Sequence, residues 1–346
     1  MSVDNREKVR VGIVGVGAMG TRHADNLHCL VTGAEVTGVT DVDKARATAV
    51  AARCGAKVFE DEQALLEGVD AVVIASPGDT HAELVLECLR RGRPVLCEKP
   101  LATSPDDARR IVEAEVELGR RLVQVGFMRR YDRRHLEVKR IASEGSLGRP
   151  LLFKGVHRNP EVPPHWDSEF VIFDAAVHDL DSARWMTGRE VEEVYVRGVH
   201  NSSTLNDDTL DLQLIQLVMA DGCLGTIEVF VTADYGYEVG AELVCELGSV
   251  QTTLPADAVV RRSGAASRGV HGGFLERFPE AYVAEVRDWV KAIRDGRPPG
   301  GASAWDGYMS ALATASCAAS LHSGRPERIP YVERPELYEE GLGVSR

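Results

Sequence analysis

One short segment constrains the fold of this chain more than any other, the glycine-rich run that follows its first apolar stretch. The apolar run VRVGIVGVG, which starts at Val9, predicts a buried strand, and the stretch from Ala18 to Leu30 predicts a helix. Between them stands the pattern Gly15-Val16-Gly17-Ala18-Met19-Gly20. In such a pattern the first glycine permits a tight turn, the second lets the backbone approach a pyrophosphate, and the third allows close helix–strand packing. The segment therefore predicts a strand–turn–helix unit that binds a dinucleotide.

A carboxylate at the end of the second predicted strand indicates which dinucleotide. Asp41 ends the run AEVTGVTD and lies about 20 residues past Gly20, the usual spacing for a ribose ligand. Its carboxylate accepts hydrogen bonds from the adenosine ribose hydroxyls and repels a 2′-phosphate. No arginine directly follows Asp41 to bind such a phosphate. We therefore predict NAD as the cofactor in preference to NADP.

The pattern of apolar runs divides the chain into two predicted domains. Short apolar runs alternate with helical patterns over the first third, and strands this apolar are buried on both faces. Residues 1–126 are therefore predicted to form a Rossmann-type, doubly wound parallel sheet that binds NAD. After about Phe127, strand-like runs follow one another without helices between them. Residues 127–346 are predicted to form an α+β domain with a large, mostly antiparallel sheet for substrate binding and oligomerisation.

Composition excludes several classes of partner. The 346 residues carry 40 Lys+Arg against 53 Asp+Glu, a formal charge of −13, which argues against binding to nucleic acid. No apolar run approaches the ~20 residues of a membrane span, and the charged N-terminus that leads into a strand is not typical of a secretory signal. The seven cysteines are scattered and form no C-x-x-C pair, so we expect neither a metal site nor disulfides. We expect a cytoplasmic protein.

Three side chains are candidates for catalysis. Lys99, in the segment Cys97-Glu98-Lys99-Pro100, follows a predicted strand at the sheet edge where ligands bind, and its ammonium can stabilise a developing alkoxide. Asp174 and His178 are four residues apart in a helical stretch and so share one face. An imidazole with a pKa near neutrality suits a general base, and a neighbouring carboxylate can orient it. The alternatives are a solvated strand-end lysine and a surface Asp–His pair.

The chain also resembles the Gfo/Idh/MocA sugar oxidoreductase superfamily over nearly its whole length. The segments that carry the resemblance are Gly15–Gly20, Glu98–Ala102, Val123–Asp132, His157–Pro160, Asp174 with His178, Tyr235–Tyr237 and Ala304–Tyr308. The Glu-Lys-Pro motif is specific to the superfamily. The segments GFMRRYD and HRNP together indicate its inositol 2-dehydrogenase branch.

The resemblance implies an NAD-dependent enzyme that oxidises myo-inositol to the 2-keto compound. It implies a triad of Lys99, Asp174 and His178, with His178 as the general base. The positions it places in the polyol pocket are Met128, Arg129, His157, Asn159 and Tyr237. To the glycine turn and Asp41 it adds, as positions at the cofactor, Ser76, Pro77, His81, Glu98 and Lys99. It further implies a cis Lys99–Pro100 peptide bond and a homo-oligomer, specifically a tetramer.

One departure keeps other substrates open. Similar inositol enzymes often carry a hydroxyl residue just after the catalytic aspartate, where this chain has Ala175. Losing a hydrogen-bond donor can relax or redirect the choice of stereoisomer. The alternatives are therefore a dehydrogenase for scyllo-inositol, chiro-inositol or an aldose with the same triad. An alternative of another class is a non-catalytic regulator that binds a dinucleotide, although such a protein has no need for all three triad residues.

Overall fold

The computed structural model describes residues 7–253 and 259–339, which form two compact units. The first unit comprises the described parts of Met1–Met128, Glu280–Ala311 and Val332–Arg346, and the second comprises those of Arg129–Pro279 and Leu312–Tyr331. The predicted division at residues 126 and 127 falls close to the first of these boundaries. The observed first unit also includes residues 280–311 and 332–339 of the described chain. Amphipathic spacing shows that a helix face is buried but not which unit buries it.

The first unit alternates strands and helices in the order that its apolar runs predict. Its elements are β1 (Val9–Val14), α1 (Ala18–Cys29), β2 (Ala34–Thr40), α2 (Lys44–Cys54), β3 (Lys57–Val58), α3 (Glu62–Gly68), β4 (Ala71–Ile74), α4 (His81–Arg90), β5 (Val95–Cys97), α5 (Pro105–Leu118) and β6 (Val123–Val125). The strands form one six-stranded sheet in the order β3-β2-β1-β4-β5-β6, and every neighbouring pair is parallel. The predicted doubly wound parallel sheet is confirmed.

Local sequence explains where these elements begin and end. The strands β4, β5 and β6 are buried at every residue, as expected for a sheet covered on both faces. The Asp43 side chain caps α2, and Ser104 caps α5, whose first residue is Pro105. Gly55 caps the C-terminus of α2 with a left-handed φ of 70°, which glycine adopts without strain.

The second unit is built around a larger sheet. The elements that follow β6 along the chain are α6 (Arg133–Ser143), β7 (Pro150–Arg158), α7 (Ser168–Phe170), a π-helix (Val171–Ala176), α8 (Val177–Thr187), β8 (Val191–Val199), β9 (Leu212–Met219), β10 (Leu224–Phe230), β11 (Glu238–Cys245), β12 (Gly248–Gln251), β13 (Val259–Arg262), β14 (Ala265–Arg268), α9 (Phe274–Arg277), α10 (Pro279–Asp295), α11 (Ala304–Ser323) and β15 (Glu327–Arg328). Of these, nearly all of α10 and the start of α11 lie within residues 280–311 and belong to the first unit.

The strand order of this sheet is β12-β11-β7-β10-β9-β8-β15. Every neighbouring pair is antiparallel except β7 with β10, so the predicted mostly antiparallel sheet is confirmed. Burial alternates along β9 and β11, which gives the sheet one buried face and one more open face. On the buried side α8 packs against β7 and α6 packs against β11. The strands β13 and β14 form a separate hairpin.

The helix α10 contributes to the core of the first unit, although it lies far along the chain. Its residues Val286, Trp289 and Val290 are buried in one cluster with Ala24 and Leu27 of α1 and with residues of β1, β2 and β5. Burial of these side chains stabilises the unit by roughly 1.5–3 kcal/mol for each large one. Apolar packing therefore explains why α10 belongs to the first unit.

A buried acid lies on the same helix. Glu285 has no solvent exposure, and neither carboxyl oxygen has a hydrogen-bond partner among the described residues. Burial raises the pKa of Glu285 well above its usual range, and the nearby negative charge of Glu98 adds to this rise. Burial therefore favours the protonated, neutral form of this carboxyl group in the folded protein.

None of the described helices combines the length and the apolar character that crossing a bilayer requires.

We predict that Glu285 makes the protein less stable as the pH rises. The unfolded chain ionises this carboxyl near its ordinary pKa while the folded chain keeps it protonated, so stability present at acidic pH is lost on going up in pH. The loss is about 1.4 kcal/mol per pH unit until the folded pKa is reached. In Glu285→Gln, a neutral isostere, the midpoint of thermal unfolding should fall less as the pH rises from about 5, just above the ordinary pKa of glutamate, to about 7. The exposed Glu280→Gln on the same helix is the matched control, and identical pH dependence in both variants would contradict the prediction.

Candidate active site

The glycine turn after β1 has the geometry that a dinucleotide needs. Gly15 has a φ of +80°, and a Cβ there would lie 2.5 Å from the backbone nitrogen of Ser76. A Cβ on Gly20 would lie 1.9 Å from the carbonyl oxygen of Gly15, so only glycine permits this approach of α1 to β1. At Gly17, the N-cap of α1, a Cβ would meet nothing within 4 Å. The turn is thus closed towards the protein and open at the helix N-terminus, where unpaired N–H groups suit a pyrophosphate.

The first turn of α1 offers its backbone to this opening. Ala18 is exposed and Met19 is half-buried, and neither carries a charged side chain that would block the N-terminus. The residues present therefore fit the pyrophosphate of NAD.

Asp41 lies at the adjacent strand end and is tied to the same turn. Its side chain is 4% exposed, Oδ2 accepts from the backbone nitrogen of Val16 at 2.7 Å, and Oδ1 accepts from that of Asp43 at 2.8 Å. Oδ1 also accepts from Nη2 of Arg46 at 2.9 Å. Burial by itself would raise the pKa of Asp41, but the Arg46 and backbone hydrogen bonds outweigh it and lower the pKa. Arg46 reaches back to Asp41 from the first turn of α2, a contact that the residue directly after Asp41 does not signal.

The loop after β4 holds the next group of predicted cofactor residues. His81 is 1% exposed, with Nδ1 2.7 Å from the carbonyl oxygen of Pro100 and Nε2 2.9 Å from that of Ser76. Both ring nitrogens thus contact backbone carbonyls, and the ring joins the Ser76 loop to the Lys99–Pro100 turn. Ser76 Oγ lies 2.6 Å from Thr80 Oγ1, and Pro77 is exposed. Within this loop Pro77 is exposed and Ser76 is half-buried, whereas the buried His81 holds the loop in place.

The Glu98–Lys99–Pro100 segment follows β5, and its Lys99–Pro100 peptide bond is cis, as the resemblance implies. Glu98 is 8% exposed and turns inward, where Oε1 lies 2.7 Å from Nε2 of His23 on α1. Its Oε2 accepts from the backbone nitrogen of Lys99 at 3.3 Å. Lys99 itself is half-buried. The role of His23 in anchoring Glu98 was not foreseen from the sequence, because the two residues are 75 positions apart.

In the second unit, Asp174 and His178 lie on either side of a change in helix type. Asp174 is half-buried in the π-helix, and His178, 8% exposed, lies in the first turn of α8. The predicted alignment assumed one continuous α-helix, whereas hydrogen bonds in a π-helix span five residues. The two side chains therefore do not follow the ordinary four-residue alignment. Short π-helical turns next to α-helices are frequent at functional sites.

A buried network of charged and polar side chains lies beside His178. Arg129, which is 1% exposed, donates to Asp179 Oδ1 at 2.7 Å, and its Nη2 lies 3.0 Å from Nδ1 of His157. The same Nδ1 lies 3.1 Å from Asp179 Oδ2 and 3.1 Å from the carbonyl oxygen of Ala175. The His157 and His178 ring centroids are 6.4 Å apart. Asp179, one residue past His178, thus joins the predicted substrate residues Arg129 and His157.

The charges in this network balance at neutral pH. Burial would raise the pKa of Asp179, but the positive charge of Arg129 and the hydrogen bonds from His157 and Arg129 outweigh it and lower the pKa. Burial lowers the pKa of His157, and the Arg129 charge acts in the same direction. Burial raises the pKa of Tyr237 to about 12. One arginine cation and one carboxylate are therefore packed with a neutral imidazole and a neutral phenol.

The remaining predicted substrate residues differ in their surroundings. The Tyr237 ring is 4% exposed, and its centroid lies 5.9 Å from that of His157. Asn159 is half-buried, and its Oδ1 is buried with no hydrogen-bond partner among the residues that the structure describes. Met128 is 2% exposed and belongs to the first unit. The second unit thus brings Arg129, His157, Tyr237 and His178 together.

The predicted catalytic residues are divided between the two units. Lys99 belongs to the first unit, and Asp174 and His178 belong to the second. Asp179 was not predicted, and its only signal in the sequence is that a second acid directly follows His178. The structure adds that the helix α8 is buried nearly all round. Across residues 7–253 and 259–339, no group of three His, Cys, Asp or Glu side chains could hold a metal ion.

Comparisons with known proteins agree with this architecture. Residues 9–127 match the model of the oxidoreductase family with an NAD-binding Rossmann fold, and residues 135–251 match the GFO/IDH/MocA C-terminal domain. An inositol 2-dehydrogenase of Rubrobacter xylanophilus is 52% identical over 98% of each chain, and inositol 2-dehydrogenase 4 of Saccharopolyspora erythraea is 43% identical over 97% of this chain and 100% of its own.

A solved structure is also similar along the whole chain. The myo-inositol dehydrogenase of Lactobacillus casei, crystallised with NAD(H) and myo-inositol, superposes with a TM-score of 0.92 at 34% identity and covers 96% of this chain and 100% of its own. The glycine turn, the Glu-Lys-Pro segment and both matched domains lead to one conclusion. The chain belongs to the Gfo/Idh/MocA family of NAD-binding oxidoreductases.

Proposed function

We propose that this chain is an NAD-dependent inositol 2-dehydrogenase, which oxidises myo-inositol to 2-keto-myo-inositol (scyllo-inosose). The observation that carries the proposal is the 52% identity to an inositol 2-dehydrogenase over 98% of both chains. The similarity includes both units, so the cofactor half and the substrate half are both accounted for. The Arg129 and Asp179 charges in the network around His157 offset each other, which supports an uncharged polyol as substrate.

The residues of the proposed triad divide the chemistry between them. His178 takes the proton of the reacting hydroxyl as general base, and Asp174 orients the imidazole and the substrate. Lys99 donates a hydrogen bond to the same hydroxyl and stabilises the negative charge that develops on its oxygen. NAD, held by the glycine turn and Asp41, would supply the acceptor for the hydride that leaves the ring carbon as His178 takes the hydroxyl proton.

Other side chains recognise the polyol in this proposal. The buried Oδ1 of Asn159 supports a contact with a ring hydroxyl, which would supply the donor that this oxygen lacks among the described residues. His157 and Tyr237 contact the substrate, with Met128 as an apolar wall. Arg129 is a positioning residue, because its two terminal nitrogens already contact Asp179 and His157.

The assembly and location of the protein also belong to this proposal. The more open face of the seven-stranded sheet carries exposed apolar side chains, including Val199, Leu214 and Leu224. A homotetramer that uses this face would cover them. All seven cysteines are free thiols, and six are buried, which supports a reducing, cytoplasmic environment.

Replacing the general base should abolish turnover without weakening cofactor binding. We predict that His178→Ala lowers kcat with myo-inositol by at least ~10²-fold, because a positioned base contributes ~10²–10⁴-fold. NADH affinity, followed by fluorescence titration, should stay close to that of the parent protein. The exposed His28→Ala is the control for loss of an imidazole and should retain full activity. An unchanged kcat in His178→Ala would rule out its role as the base.

A panel of substrates distinguishes the alternatives. With NAD, we predict a kcat/KM for myo-inositol at least about tenfold above those for scyllo-inositol, chiro-inositol and glucose, because an unpaired polar group in the site is costly. A preference for one of the others would favour a sister enzyme and draw attention to Ala175, which is 1% exposed beside His157. Absence of turnover with every polyol, despite measurable NADH binding, would favour a regulator.

The charge balance of the network is open to a separate test. Asp179→Asn keeps the shape of the side chain but leaves the Arg129 cation buried without a carboxylate. We predict a loss of about 3–5 kcal/mol in the free energy of unfolding. The double variant Arg129→Met/Asp179→Leu should recover most of it, because no buried charge remains. Denaturant titrations of the three proteins give these values, and a single variant as stable as the parent would show that Arg129 needs no carboxylate partner.

A further inference from the structure

The arginine that contacts Asp41 lies where the cofactor's adenosine ribose is expected. Arg46 is the third residue of α2, and its Nη2 lies 2.9 Å from Asp41 Oδ1. The Asp41 side chain is 4% exposed, whereas that of Arg46 is 45% exposed. The carboxylate is therefore held inside the site while part of the guanidinium faces solvent at its edge.

The hydrogen-bonding capacity of Asp41 is already largely used. A carboxylate offers about four acceptor positions. Three are occupied, one on Oδ2 by the backbone nitrogen of Val16 and two on Oδ1 by Asp43 and Arg46. The ribose of NAD brings two hydroxyl donors, so full engagement of both requires Arg46 to leave Oδ1. The backbone donors are fixed, and the arginine is the partner that can move.

A ribose 2′-phosphate would meet a different charge from the one that Asp41 alone provides. An isolated carboxylate repels the phosphate, which is the usual reason for selectivity towards NAD. Here the cation of Arg46 cancels that charge at hydrogen-bond distance. Its planar fork of five N–H donors also matches a phosphate, which it can bind through two hydrogen bonds.

We propose that Arg46 is a specificity-determining residue of the cofactor site, which offsets the charge of Asp41 and binds the 2′-phosphate of NADP, so that the protein accepts NADP as well as NAD. This inference rests on the NAD site of the first unit. It does not depend on which polyol is oxidised.

Binding of adenosine fragments tests the proposal without turnover. Calorimetric titration of the full-length protein with adenosine 2′,5′-bisphosphate and with adenosine 5′-monophosphate isolates the contribution of the 2′-phosphate. Arg46→Ala should weaken binding of the bisphosphate at least ~10-fold, the range for loss of a charge-assisted hydrogen bond. Binding of the monophosphate should stay within about threefold or become tighter, because Asp41 regains a free acceptor position. Arg46→Lys should fall between, since an ammonium keeps the charge but not the fork.

Arg53→Ala is the matched control. This substitution removes the same charge from the last turn of α2, where the Arg53 guanidinium contacts Asp25 instead of Asp41. It should leave the affinities for both fragments unchanged. In the parallel kinetic assay, the ratio of kcat/KM for NADP to that for NAD should drop at least ~10-fold in Arg46→Ala only. Equal loss of both fragments in Arg46→Ala, or no measurable binding of the bisphosphate by the parent protein, would overturn the proposal. If instead the parent binds the bisphosphate but no polyol is oxidised, the proposed function fails and this inference stands.

Discussion

The parallel direction of all six strands in the first unit is the constraint on which the cofactor half of the site depends. Carboxyl ends of neighbouring parallel strands meet at one edge of the sheet. The glycine turn follows β1, Asp41 follows β2, Ser76 follows β4 and the Glu98–Lys99 segment follows β5. Because the order of these strands is β2-β1-β4-β5, each loop lies next to the loop it bonds.

Hydrogen bonds between these loops make the edge one connected surface. Asp41 accepts from the backbone after β1, and His81 links the loop after β4 to the one after β5. Glu98 is in turn anchored on His23 of α1. These hydrogen bonds tie the position of each loop to that of its neighbours. Glu285, buried on α10 near Glu98, belongs to the same set of interior polar groups.

In the second unit, buried arginines are paired with buried carboxylates. Arg129 is matched by Asp179, and the buried Arg277 is matched by Asp132, which also accepts from His135 at 2.6 Å. Unpaired buried charges would be costly, so each pair fixes the side chains that it joins. The Arg129 pair fixes His157, and His178 and Tyr237 lie beside it. The π-helix before α8 adds a local change in geometry at Asp174.

Much of this architecture follows from the sequence because its signals are local. The spacing of Gly15, Gly17 and Gly20 is set by backbone sterics within one turn, and the alternation of apolar runs decides between parallel and antiparallel strands. The position of Lys99 just after a strand is also a local feature, which does not depend on the packing around it. The sequence alone thus determined the two fold classes and the NAD turn, and resemblance added the inositol branch. Contacts between distant segments carry no such signal. Tertiary structure alone decided that α10 returns to the first unit, that His23 anchors Glu98 and that Asp179 pairs with Arg129, because each depends on which buried group finds a partner in space.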